Sequence, residues 1–219
     1  MNGNKKGIYC IEGLWEPNNV SNKSTVLPIL ELLEKRGICN HIYHNCATEQ
    51  ELEFYLKKWK TKRVADKFPI LYLAFHGKKE CIYLNSKDTY SLEQLSDFLE
   101  DKCYGKIIYF GSCSTLKTDK RKLLNFLSKT NAIATIGYKS DVDWLKSTAC
   151  DLCVFDALQM DKLDSKGISK IHSNIISDYG NLHKMLELRV VINDRMHFPR
   201  KRKYQSNSTK SLKKFSKFY

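Results

Sequence analysis

The chain of 219 residues is 42% hydrophobic and 11% aromatic, which excludes a disordered protein and provides enough apolar material for a real core in one domain of ordinary size. Its formal net charge is +13, yet residues 195–219 hold nine Lys or Arg and no acid, so the basicity belongs largely to the C-terminal segment. Apolar runs stay well short of the ~18 residues of a membrane span, and residues 1–6 lead into the first strand without a signal-peptide core, so a cytoplasmic protein with no membrane partner is expected.

In chain order, residues 7–14 (GIYCIEGL) read as a strand that stops at Glu12-Gly13. Residues 25–36 read as a helix, with Val26, Leu27, Leu30 and Leu33 on one face and Lys35, Arg36 and Gly37 at its end. A strand over 38–44 follows. Thr48 with Glu51 three residues on is a capping box, after which Leu52, Tyr55, Leu56 and Trp59 keep helical spacing. Residues 60–67 read as a basic linker. The apolar run 69–75 closes in His76-Gly77, a short β segment covers 81–84, and Ser91 with Gln94 caps a helix running to about residue 101. Residues 106–111 form a strand that delivers Cys113, followed by a helix over 119–129, a strand over 132–138, and a helix over 142–160. A helical region over 168–186 broken near Gly180 and a last strand over 188–193 complete the pattern. Alternation of strands and helices, with several strands apolar on both faces, predicts an α/β protein: a mostly parallel central sheet of about six strands with helices on both sides.

His76 and Cys113 each follow a strand, and in an open α/β sheet ligands bind outside the carboxyl ends of the strands. A cysteine nucleophile with a histidine acid or base is the chemistry this placement predicts, because an unperturbed imidazole ionises at pH ~6.5 and can exchange a proton with a thiol near neutrality. The other cysteines, at 10, 39, 46, 81, 103, 150 and 153, fall mostly in apolar runs and read as reduced core residues. Cys39, His41, His44 and Cys46 offer four metal ligands within eight residues, but strand alternation places them on opposite faces, so no metal and no cofactor are expected.

The succession YLAFHG, CIYL, SLEQLSDFLE and KIIYFGSCST resembles the catalytic half of caspase-like cysteine peptidases, most closely the CHAT type related to separase and the caspases. Gly137, Val142 and Asp143 in IGYKSDVDW are similar to the pattern that follows the next strand in that family, and the likeness covers residues 7–158. The resemblance implies a three-layer caspase-like sandwich over residues 1–194 and a cysteine endopeptidase with the dyad His76 and Cys113. It also implies an oxyanion hole from the amides of Gly77 and Cys113, and a role as an effector of bacterial antiviral defence beside a sensor partner. Trp144 departs from it, standing where CHAT domains often carry a second Asp.

In caspase-like peptidases the residues after the first strand and after the strand beyond the nucleophile wall the P1 pocket. Here those are Glu12, Glu16, Asp141 and Asp143, so cleavage of a protein or peptide substrate after a basic P1 residue is expected, with Asp143 as anchor unless it instead caps the helix near Val142. Residues 195–219 are expected to form a flexible basic tail. It could bind nucleic acid or be cut within Arg200–Lys203 by the protein itself. Two other function classes stay open, a catalytically inactive caspase-like binding module and an α/β protein that binds nucleic acid through the tail.

Overall fold

The computed structural model describes residues 5–16 and 25–194. Six strands form the central sheet: β1 (Ile8–Glu12), β2 (His41–Asn45), β3 (Ile70–Ala74), β7 (Ile107–Phe110), β8 (Ala134–Tyr138) and β9 (Leu188–Ile192). Their order is β2-β1-β3-β7-β8-β9. All neighbours are parallel except β8 and β9, which run antiparallel. A separate antiparallel sheet is made by β4 (His76–Lys78), β5 (Cys81–Tyr83) and β6 (Thr89–Ser91). The sequence reading saw β5 but not its two partners, which are short and polar.

Alternate strand residues feed two cores. On one face Tyr9, Ile11, Leu71, Leu73, Ile108 and Phe110 pack under α2 (Glu49–Trp59), α3 (Lys62–Lys67), α4 (Leu92–Phe98) and α5 (Lys120–Thr130). On the other Ile8, Cys10, Ile70, Tyr72, Tyr109 and Ile136 pack under α1 (Leu27–Lys35), α6 (Trp144–Gln159) and α7 (Ser165–Met185). This is the predicted sheet with helices on both faces. Both capping boxes form, at Thr48 with Glu51 and at Ser91 with Gln94. The expected basic linker is partly helical: Val64 and Ala65 turn inward in α3 while its lysines stay in water. The chain passes from β1 outward to β2, then returns to β3 on the other side of β1, so strand order reverses between β1 and β3, the position where open α/β sheets carry their sites. Residues 195–219, the expected tail, lie outside the described residues.

A buried acid ties the sheet to α6. Asp151 is 4% exposed and accepts hydrogen bonds from the hydroxyls of Tyr72 on β3 (2.6 Å), Tyr109 on β7 and Tyr138 on β8. Three donors offset part of the cost of burying the charge, and desolvation still pushes the carboxyl up to about 6 from an ordinary value of 3.8. Between those values the folded chain keeps a proton that the unfolded chain has released, so the stabilisation is complete below pH 3.8 and is lost as pH rises through about 6. We expect this carboxyl to lower unfolding free energy by about 3 kcal/mol across that interval. Urea titrations at half-unit pH steps, compared with Asp151→Asn, check it: the substitution, which carries no proton to lose, should flatten that part of the profile.

Candidate active site

The two predicted residues arrive from adjacent parallel strands. β3 and β7 pair with Tyr72 opposite Tyr109 and Leu73 opposite Phe110, so their carboxyl ends lie level. After β3 the buried Phe75 anchors the chain and His76 begins β4 with its ring exposed. After β7 the chain makes a tight turn. Ser114 adopts a left-handed φ of 52°, uncommon for a residue with a side chain, and the turn is over-determined by its neighbours. The amide of Ser114 donates to Ser140 O (2.9 Å), Leu116 N to Tyr138 O (3.0 Å), and the buried hydroxyls of Ser112 and Thr115 meet at 2.7 Å. The half-exposed Cys113 thus sits in a loop clamped to the end of β8, with Sγ 3.5 Å from the amide nitrogen of Val142. Among the described residues the Cys113 N–H takes no protein acceptor.

Gly77 joins the halves. A Cβ at this position would stand 2.4 Å from the Cys113 carbonyl oxygen, 2.4 Å from Thr115 Oγ1 and 2.9 Å from Ser112 Cβ. Only a glycine lets β4 lie directly on the Cys113 turn, and this close approach brings His76 and Cys113 to one edge. The second contact is through Thr115, whose hydroxyl donates to Cys81 O at 3.3 Å, while Glu80 N donates to Thr115 O at 3.2 Å.

The histidine is oriented by Trp15, a residue to which the sequence pattern assigns no role. His76 Nε2 lies 2.6 Å from Trp15 O, and the indole of Trp15 meets the imidazole edge-on with ring centroids 5.1 Å apart. A carbonyl can only accept, so Nε2 carries the proton and Nδ1 is left as the basic nitrogen. Trp15 is itself fixed by Glu12, which accepts from the indole N–H, from Thr25 Oγ1 (2.6 Å), from Val26 N (2.7 Å) and from the hydroxyl of Tyr43. Glu12 is 1% exposed. This corrects its expected place in a P1 pocket: its lone pairs are taken by donors of the chain, and it holds Trp15 instead. The available signal was an aromatic three residues beyond an acid at the end of β1, on the edge that carries His76.

The other acids differ. Asp143 caps α6 by accepting from Lys146 N (3.0 Å) and is exposed, the second of the two roles the sequence left open for it. Asp141 is exposed beside the Cys113 turn and accepts from Ser114 Oγ at 2.8 Å. A cavity of about 380 Å³ opens next to His76, lined by Leu14, His76, Gly77, Tyr83, Asn85 and Ser86. The cysteines and histidines of residues 39–46 are otherwise engaged: Cys39 and Cys46 are buried, and His44 stacks on Tyr55 at 4.1 Å. Burial pushes the Cys46 and Cys150 thiols up to about 12.

Residues 5–191 match the model of a family described as "Family of unknown function (DUF6642)", and the chain belongs to that family. A search of curated proteins finds no match. Among solved structures, the Drosophila initiator caspase Dronc is similar with a TM-score of 0.49 and 10% identity, over 80% of this chain and 73% of that one.

Gly77→Ala should be destabilising by about 1–3 kcal/mol, because the new methyl meets backbone and a buried hydroxyl that cannot swing away. Chemical denaturation of the variant beside the parent measures it.

Proposed function

We propose that this member of a family of unknown function is a cysteine endopeptidase acting through His76 and Cys113. The observation that supports it best is the seating of Gly77 on the Cys113 carbonyl at the level ends of β3 and β7, with the His76 ring turned by Trp15 to leave Nδ1 free. In this mechanism Cys113 Sγ forms a bond to the scissile carbonyl carbon, and the carbonyl electron pair moves to oxygen, facing the N–H groups of Cys113 and Gly77. His76 takes the thiol proton at Nδ1 and gives it to the departing amine as the C–N bond breaks; water then releases the thioester. Glu12 and Trp15 are positioning residues in this reading, acting only through His76.

The specificity reading rests on Asp141. It and Asp143 flank Val142, whose backbone lies against Cys113 Sγ, so a basic P1 side chain would meet exposed carboxylate there. Arg200–Lys203 remains a candidate for self-cleavage but falls outside the described residues. A sensor partner and a role in bacterial defence belong to this proposal only through the family resemblance of the sequence.

Cys113→Ala should abolish hydrolysis of an unstructured protein such as casein, and His76→Ala should slow it about 10²- to 10⁴-fold, both with unchanged thermal unfolding. Turnover that survives Cys113→Ala sinks the peptidase reading. In a peptide library the parent should prefer Arg or Lys at P1, and Asp141→Asn should reduce that preference about tenfold; preference for P1 Asp or for small apolar residues refutes the assignment of Asp141. Trp15→Phe, which removes the indole donor to Glu12, should lower kcat with little change in KM if the residue acts by orienting His76.

A further inference from the structure

Behind the nucleophile turn lies a second cavity, of about 500 Å³, lined by Thr118, Lys139, His172, His183 and Arg189 over the apolar Ile176, Leu188 and Val190. Its lining holds four basic side chains and no acid. The two histidines come from one helix. Eleven residues span about 16 Å along a straight α-helix, but α7 is broken at Tyr179 (φ −130°, ψ 27°), and the imidazole centroids stand 5.6 Å apart. The break folds the end of α7 back so that both rings reach the same space. Among the described residues Nε2 of His183 is buried without a hydrogen-bond partner, an arrangement that costs free energy unless something else occupies the site.

Arg189 is half committed. Its Nη1 donates to Leu116 O at 2.9 Å and Thr118 O at 2.6 Å, the carbonyls just past the Cys113 turn. Nη1 has two of the five guanidinium protons, and the donors on Nε and Nη2 have no acceptor among the described residues. Lys139 pairs with Glu187 at 3.3 Å, outside the lining.

We infer that this cavity is a binding site for a phosphate-class anion, held by His172, His183, Lys139 and the free edge of Arg189. Phosphate oxygens match a guanidinium edge and imidazolium N–H groups, and the charge-assisted bonds are stronger than the water they replace. Two imidazoles also invite a divalent cation, but with Lys139 and Arg189 beside them and no carboxylate in the lining the charge is of the wrong sign for one. Burial lowers both imidazoles, His183 further through Lys139 and His172 through His183, so they are mainly neutral at pH 7 and take up protons when the anion binds. The charged groups facing them are Lys139, with its partner Glu187, and Arg189. An anion there would also fix the guanidinium that holds the Leu116 and Thr118 carbonyls. The site does not depend on the peptidase proposal, since its test reads binding alone.

Isothermal titration of the full chain with pyrophosphate, at ionic strength held constant with sodium chloride, tests the inference. Expected are one saturable site, proton uptake seen as buffer-dependent heat, and affinity at least about tenfold tighter at pH 6 than at pH 8. Affinity should be at least about tenfold weaker in His172→Gln, His183→Gln and Lys139→Ser; Lys139→Ser alters a half-exposed residue and keeps the test sound if a histidine variant unfolds. Inorganic phosphate and ATP, titrated in parallel, separate a free anion from a nucleotide phosphate. Absence of saturable binding overturns the inference, as does equal affinity in all three variants, which would place the anion elsewhere, for instance on the basic segment 195–219. Zinc binding lost in the histidine variants without any pyrophosphate binding overturns it in favour of a metal.

Discussion

The lateral pairing of β3 with β7 is the constraint on which the site depends. Both strands are apolar on both faces, so each is held between two helical layers, and their register is fixed because a slip of one residue would exchange the two cores. Level carboxyl ends follow from that register. The loops after them then have one way to meet, and the absence of a side chain at Gly77 lets them meet backbone to backbone.

Two buried carboxylates brace this arrangement. Glu12 gathers the end of β1, the start of α1 and β2 through four donors, and Asp151 gathers β3, β7 and β8 through three tyrosines. A buried anion persists only when its lone pairs are satisfied, so each acid imposes a geometry on every element that donates to it. Gly111 belongs to the same bracing: a Cβ there would stand 2.5 Å from the Tyr72 hydroxyl, so the strand leading to Cys113 lies against the Asp151 cluster. The strained turn at Ser114 is carried by this surrounding rigidity.

The site is therefore built at a reversal of strand order, with the orienting residue arriving from β1, the imidazole from β3 and the thiol from β7. The third direction, through β9, reaches the same turn: Arg189 clasps the carbonyls of Leu116 and Thr118, so the Cys113 turn is bordered by a cationic anchor on one side and by the exposed Asp141 on the other.

What the sequence determined is local and periodic. Apolar runs of strand length, helical spacing of Leu and Phe, and two capping boxes specify elements whose stabilising neighbours lie within a few residues, so sheet, layers and the strand-terminal positions of His76 and Cys113 were legible in it. The polar strands β4 and β6 were not, because their residues become strand only by pairing with β5. The roles of Glu12 and Trp15 were decided by tertiary structure, as was the choice between the two roles open to Asp143. A carboxylate near a strand end reads the same whether it faces a pocket, a helix amide or four donors of which three come from later segments, and the choice is made by which partners the fold brings within hydrogen-bonding distance. The meeting of His172 with His183 is of the same kind, for only the break at Tyr179 turns eleven residues of separation into ring contact.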